Sequence, residues 1–287
     1  MSRVLVTGSQ GMLGQDILLG LKGHDVTGMS RSTLDITDRH AVTTVIPDFD
    51  IVINAAAYTA VDDAETHRDD AYAINAEGPK NLAAACARSG ATLVHLSTDY
   101  VFGGDATTPY PEDAPKGPAS VYGQSKLAGE QAVLENNPDH SIILRTAWLY
   151  GVNGSSFPRS ILSAGQTREH LDVVDDQVGQ PTWTVDVVGM IEQLVNAGVT
   201  KGIFHATNAG QTSWHGFACK LFELAGWDTD RVAKTTTSAF PRPAPRPAWS
   251  VLGHTEWSAH GLKSPRAWED ALAEAWDSGL SQFARGQ

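Results

Sequence analysis

The chain has 287 residues, 41% of them hydrophobic, with 33 acidic against 21 basic side chains and a formal net charge of −12. Such a length and apolar content support one large or two modest buried cores, while the acidic balance argues against nucleic acid or an anionic membrane surface as partner. Its two cysteines, Cys86 and Cys219, stand apart in helical patterns and outside any CxxC pair, which argues against a disulfide framework or a thiolate metal site.

The chain opens with the apolar run "RVLVTG" (3–8), which leaves no room for a signal peptide, so a cytoplasmic location is expected. Helical periodicity in "MLGQDILLGLKG" and a strand-like "HDVTGMS" complete a strand, helix, strand unit. The pattern predicts a helix over about 38–46, a strand over 50–54, a long helix over about 65–88 and a strand over 91–97. An irregular stretch, 99–119, precedes a helix over 120–136 and a strand over 141–147. Strands alternating with helices imply right-handed crossovers and a doubly wound parallel sheet with helices on both faces. "LDVVDDQVGQPT" (171–182) mixes a short strand with turn residues, and "TVDVVGMIEQLVNAG" and "KGIFHAT" read as a helix and strand returning to the sheet. The proline-rich "FPRPAPRPAW" (240–249) suits neither helix nor strand and is expected to run extended. No apolar stretch approaches the length of a membrane span.

"TGSQGMLGQD" sets Gly8, Gly11 and Gly14 between the first strand and the first helix, with Gln10, Met12 and Leu13 among them. Glycines there permit a tight turn, a close approach of phosphate to backbone and close helix packing, with a pyrophosphate at the positive helix N-terminus. The spacing is GxxGxxG, and its place after the first strand points to a dinucleotide. An NAD site ordinarily ends its second strand with an acidic residue for the ribose 2′-hydroxyl. Here Ser30 and Arg31 stand at that end and suit a 2′-phosphate, so NADPH is the expected cofactor, with NADH possible. Asp35 and Ile36 fall where the adenine edge would be bounded, although Asp35 is also a good helix N-cap. Ala55, Ala56 and Ala57 offer a low floor for a flat cofactor.

Ser97, Thr98 and Asp99 emerge at the carboxyl end of the 91–97 strand, the edge where open parallel sheets bind ligands. Tyr122 opens the next helix with Lys126 one turn on, so phenol and ammonium share a face, and an adjacent ammonium is expected to lower the phenol pKa. A hydroxyl, a phenol and a lysine beside a nicotinamide suit hydride transfer to a carbonyl without a metal, and the ten histidines lack ligand spacing.

On the motifs TGxxGxxG (Thr7–Gly14) and YxxxK (Tyr122–Lys126), the chain resembles the extended short-chain dehydrogenase/reductase family. "NAAAYTAVDDAE", "STDYVF", "VYGQSKLAGE", "RTAWLYG", "VVDDQVGQPT" and "PRPAPRP" extend the likeness to its branch acting on dTDP-linked 4-keto sugars. The resemblance implies a Rossmann-like dinucleotide domain, 1–147 plus about 184–206, and a smaller C-terminal α/β substrate domain, about 148–183 and 207–287. It implies NADPH-dependent reduction at C4 of dTDP-4-dehydro-L-rhamnose, with Tyr122 as proton donor. It further implies that Lys126 holds the nicotinamide ribose and that Thr98 orients the keto oxygen. Asp99, Tyr100 and Trp148 would meet the sugar nucleotide, and Arg246 its diphosphate. The expected partner is this small-molecule nucleotide sugar, with no nucleic acid, no membrane and no metal, in a monomer or homodimer. A reductase or epimerase of another nucleotide-linked keto sugar would carry the same cofactor motifs. The regulatory subunit of methionine adenosyltransferase shares the fold, but Thr98, Tyr122 and Lys126 together favour catalysis.

Overall fold

The computed structural model describes residues 1–285; residues 286 and 287, the end of the expected substrate domain, lie outside the described residues. Short β-branched and apolar runs form β1 (Arg3–Thr7), β2 (Asp25–Met29), β3 (Ile51–Asn54), β4 (Thr92–Thr98) and β5 (Ser141–Thr146). Helices α1 (Met12–Gly20), α2 (Arg39–Val45), α3 (Arg68–Tyr72), α4 (Gly78–Ser89) and α5 (Val121–Asn136) alternate with them. After β5 the chain leaves the sheet through β6 (Leu149–Tyr150), α6 (Phe157–Thr167), β7 (Leu171–Val174), β8 (Val178–Gly179) and β9 (Thr182–Trp183). It returns with α7 (Thr184–Asn196) and β10 (Gly202–His205), then finishes through β11 (Thr212–Ser213), α8 (Trp214–Leu224), β12 (Val232–Thr235), α9 (Thr255–Ala259) and α10 (Trp268–Asp277).

The six-stranded sheet has the order β10-β5-β4-β3-β1-β2, and every pair in it is parallel. Alternation along each strand sends Val4 and Val6 of β1 to one face, against Leu13 and Ile17 of α1 and Ile191 and Leu194 of α7. Leu5 points to the other face, against Val42, Leu82, Cys86 and Val133. Strand order reverses between β2-β1 and β1-β3, a switch point that opens a crevice at the carboxyl ends of β1 and β3. Outside the sheet, Tyr150, Leu162, Trp183, Phe217, Trp268 and Leu272 form a separate apolar cluster, and β12 pairs with β7 as β11 does with β8.

The helix expected over 65–88 is interrupted. A 3₁₀ turn (Asp63–Glu65) precedes α3, and a π turn (Ala73–Glu77) separates α3 from α4. Pro79 has no N–H for the Asn75 carbonyl four residues back, and Gly78 N–H donates instead to Ala73 O, five residues back. Asp35 is not the cap of α2. Asp38 accepts from His40 and Ala41 N–H, while Asp35 closes a turn on Thr37.

Candidate active site

The glycine turn is shaped by contacts that only a missing side chain allows. Gly8 has φ +67, and a Cβ there would lie 2.6 Å from Ala56 N; a Cβ on Gly14 would lie 2.4 Å from Gly8 O. Gly11 begins α1 with no side-chain cap, so the amides of Met12, Leu13 and Gly14 have no intrahelical acceptor and form an anion-binding helix end. Beneath the turn, Thr7 Oγ1 donates to Asn54 Oδ1 at 2.7 Å and Asn54 Nδ2 meets His95 Nδ1 at 3.0 Å, which ties β1, β3 and β4 together.

A cavity of about 890 Å³ opens over this floor. Gly8, Gln10, Gly11, Met12, Leu13, Gly14, Arg31, Asp35, Ile36, Ala55, Ala56, Ala57, Tyr122 and Lys126 all line it. Ser30 does not: it is buried in the turn, where its N–H donates to Thr33 Oγ1 at 2.9 Å and its hydroxyl pairs with Ser32. Arg31 is 79% exposed and lies 3.5 Å from Asp35, a loose pair that leaves the guanidinium reorientable. Asp35 is held below the usual carboxylate range by the Thr37 N–H and then its hydroxyl. Sequence reasoning missed Tyr58, Thr59, Ala60, Ile74, Thr146, Leu149, Gly154 and Ser155, which also line the cavity. Tyr58 to Ala60 directly follow the alanine floor, but Gly154 and Ser155 arrive from a distant loop with no local signal.

At the far wall, Ser120 caps α5 by accepting from Gly123 N–H, and Glu65 accepts from Val121 N–H. Glu130 fixes the same helix to the sheet: Arg145 grips it through two bonds of 2.8 Å, and Ser97 donates to it at 2.5 Å. Thr98 Oγ1 donates to Asp99 Oδ1 at 2.8 Å and accepts from Tyr100 N–H. Asp99 Oδ2 is buried without a partner, and burial pushes this carboxyl up to about 6 against the Thr98 bond. The ring of Tyr100 meets that of Tyr122 edge-on, centroids 5.4 Å apart.

The expected lowering of the Tyr122 pKa is corrected. Burial pushes the phenol up to about 12, against the Thr98 side chain, and the Lys126 ammonium donates to Leu96 O at 2.6 Å. Lys126 is itself lowered to about 8 by burial, opposed by the charge of Glu130. Desolvation, which helical spacing does not reveal, sets the direction for both groups.

Thr98, Asp99, Tyr100, Trp148 and Arg246 are not in the cavity wall. Thr98 and Asp99 follow Ser97, which is in it. Trp148 takes φ 46, the one non-glycine residue with positive φ among those described, and stacks on Trp214 with centroids 3.5 Å apart. Gly179 makes room for it, since a Cβ there would lie 2.5 Å from Trp148 Cε2 and 2.7 Å from Ser250 Oγ. Arg246 reaches Asp62 at 2.8 Å, close enough to Tyr100 for its charge to act on that phenol. No helix among the described residues is long and apolar enough to cross a membrane.

Residues 2–280 match the family model described as RmlD substrate binding domain. The chain is 47% identical over 282 residues to a dTDP-4-dehydrorhamnose reductase of Streptomyces griseus, covering 96% of this chain and 93% of the relative. It is 48% identical to a probable dTDP-4,6-dihydroxy-2-methyloxan-3-one 4-ketoreductase of Streptomyces antibioticus, covering 96% and 94%. Among solved structures, the dTDP-4-dehydrorhamnose reductase of Bacillus anthracis in complex with NADP superposes with a TM-score of 0.93 at 38% identity, over 96% of this chain and 99% of that one.

Proposed function

This chain belongs to the family of the RmlD substrate binding domain, and from that premise we propose that it reduces the C4 keto group of dTDP-4-dehydro-L-rhamnose to give dTDP-L-rhamnose. It is a nicotinamide-dependent reductase with NADPH as its cofactor. One observation carries the reading of its residues: a single cavity joins the glycine turn and Arg31 to Tyr122 and Lys126.

The residues fit the cofactor, because the glycine turn and the open amides at the start of α1 face the same cavity as Arg31, Ala55, Tyr122 and Lys126. NADPH, when bound, supplies the hydride. In our reading the amides of Met12, Leu13 and Gly14 hold the pyrophosphate, and Arg31 receives the 2′-phosphate while Ser30 shapes its turn. Lys126 holds the nicotinamide ribose. Tyr122 gives its proton to the oxygen at C4, so that hydride and proton together turn ketone into alcohol. Burial keeps the phenol protonated across the neutral range, so the proton it gives is in place. Thr98 orients the keto oxygen, a donor placed where charge develops. Asp99, Tyr100 and Trp148 meet the sugar nucleotide, and Arg246 its diphosphate. The segments about 148–183 and from 207 onward form the nucleotide-sugar side.

The 48% identity to the Streptomyces antibioticus relative favours a second reading, a reductase of another dTDP-linked 4-keto sugar. Purified protein mixed with NADPH and dTDP-4-dehydro-L-rhamnose generated in place separates the two. Oxidation that depends on the keto sugar, with dTDP-L-rhamnose as product, is expected. Oxidation only with dTDP-4-keto-6-deoxy-D-glucose would transfer the assignment to the second reading.

A further inference from the structure

The proline-rich strap is held unevenly. Its later half is stapled by backbone bonds, Trp249 N–H to Gly104 O at 3.0 Å and Val178 N–H to Ala248 O at 2.8 Å. Its earlier half, Phe240–Pro243, is exposed and lies between two ties, Thr237 to Asp176 and the residues gathered on Asp62. Asp62 Oδ2 accepts from Arg246 Nη2 at 2.8 Å, and Oδ1 accepts from Ala244 N–H at 3.2 Å. Arg246 Nη1 donates back to Ala244 O at 2.9 Å, so one carboxylate and one carbonyl grip both ends of the guanidinium.

Asp62 belongs to the opposite side of the site. Tyr58, Thr59 and Ala60, just before it, line the cofactor cavity. The upstream end of this segment is clamped by Asn75, whose Oδ1 accepts from Tyr58 N–H and whose Nδ2 donates to Tyr58 O. Downstream, Ala64 N–H donates to Ala60 O, and Glu65 is bonded to the start of α5. The ion pair is partly buried, 19% exposed at Arg246 and 32% at Asp62, and it ties the strap to the segment that lines the cofactor cavity.

We propose that Asp62 is a positioning residue that couples cofactor to substrate: by fixing Arg246 to the 58–62 segment, it makes dinucleotide binding improve the capture of the nucleotide diphosphate. The proposal rests on the reading of Arg246 as the diphosphate contact. A dinucleotide seated against Tyr58 to Ala60 packs on the segment that carries Asp62, and Asp62 relays the position of that segment to Arg246. The grip of Arg246 on a diphosphate thereby depends on whether the dinucleotide is bound, which is positive coupling between the two sites.

The test is calorimetric titration of dTDP, as a diphosphate probe, into protein with and without saturating NADP⁺. Wild type is expected to bind dTDP at least about fivefold tighter when NADP⁺ is present. Asp62→Asn keeps an oxygen for Ala244 N–H but loses the charge, and its ratio is expected to fall to about one, with NADP⁺ affinity alone unchanged. Asp62→Glu, which keeps the charge, is expected to restore part of the ratio. A ratio that survives in Asp62→Asn, or is absent from wild type, overturns the proposal. Arg246→Ala separates the two levels: weaker dTDP binding upholds Arg246 as the diphosphate contact, and unchanged binding overturns that reading and the proposal with it.

Discussion

The Lys126 ammonium donates to the carbonyl oxygen of Leu96 at 2.6 Å, the residue directly before Ser97 and Thr98 at the end of β4. This bond pins the lysine of α5 to the strand that carries the expected keto-oxygen contact. It also leaves an ammonium, lowered to about 8 by burial, as the one titrating group of the pair in the usual assay range, because Tyr122 stays protonated up to about 12. Lys126 is charged below its pKa and neutral above it. The value of kcat/KM for NADPH is therefore expected to be level below about pH 7 and to fall about tenfold per unit well above pH 8. A flat profile through that range would mean that Lys126 keeps its charge there and that burial does not lower it to about 8.

Replacing Tyr122 by Phe removes only the hydroxyl from a buried ring that packs edge-on against Tyr100. The variant is expected to lose about 10²–10⁴-fold in kcat, with the NADPH dissociation constant changed by less than about threefold. Steady-state rates and fluorescence titration of NADPH check both parts. Retained turnover would rule out the phenol as proton donor.

Arg31 has no firm protein partner beyond its loose pair with Asp35, so removing it leaves the fold intact. Arg31→Ala is expected to weaken NADPH binding by about tenfold and NADH binding by less than about twofold, because only NADPH offers a 2′-phosphate to a guanidinium. Equal losses in the two titrations would mean that the residue does not read the phosphate.

Gly179→Ala would place a methyl group 2.5 Å from Trp148 Cε2 and 2.7 Å from Ser250 Oγ. The overlap is expected to cost about 1–3 kcal/mol of stability. It is also expected to raise KM for the nucleotide sugar with little change in KM for NADPH, since Trp148 must move. Thermal melting and the two KM values test this; an unchanged nucleotide-sugar KM would mean that Trp148 makes no contact with substrate.

The parts of this site that the sequence makes legible are those whose constraint is local. Gly8 and Gly14 are legible because a backbone turn and a close helix leave no room for Cβ, and Tyr122 and Lys126 because four residues make one helical turn. Their protonation was not legible, because it depends on burial that only the assembled fold sets. The turn at Ser30 shows the same limit: position at the strand end suits both residues to the cofactor, yet the chain turns Ser30 inward and Arg31 into the cavity. The π turn at Ala73–Glu77 follows from a single proline, a signal present in the sequence but outweighed there by helical periodicity. Asp62 and Arg246 stand 184 positions apart, and nothing in the spacing of either segment announces the pair.

The most direct measurement is the fate of deuterium when the purified protein turns over dTDP-4-dehydro-L-rhamnose with NADPH deuterated at C4 of the nicotinamide. Proton NMR of the product is expected to show dTDP-L-rhamnose with one deuterium at C4 of the sugar. A product without deuterium at that carbon, or no keto-sugar-dependent product while NADPH still binds, would contradict hydride reduction at C4 as the activity of this protein.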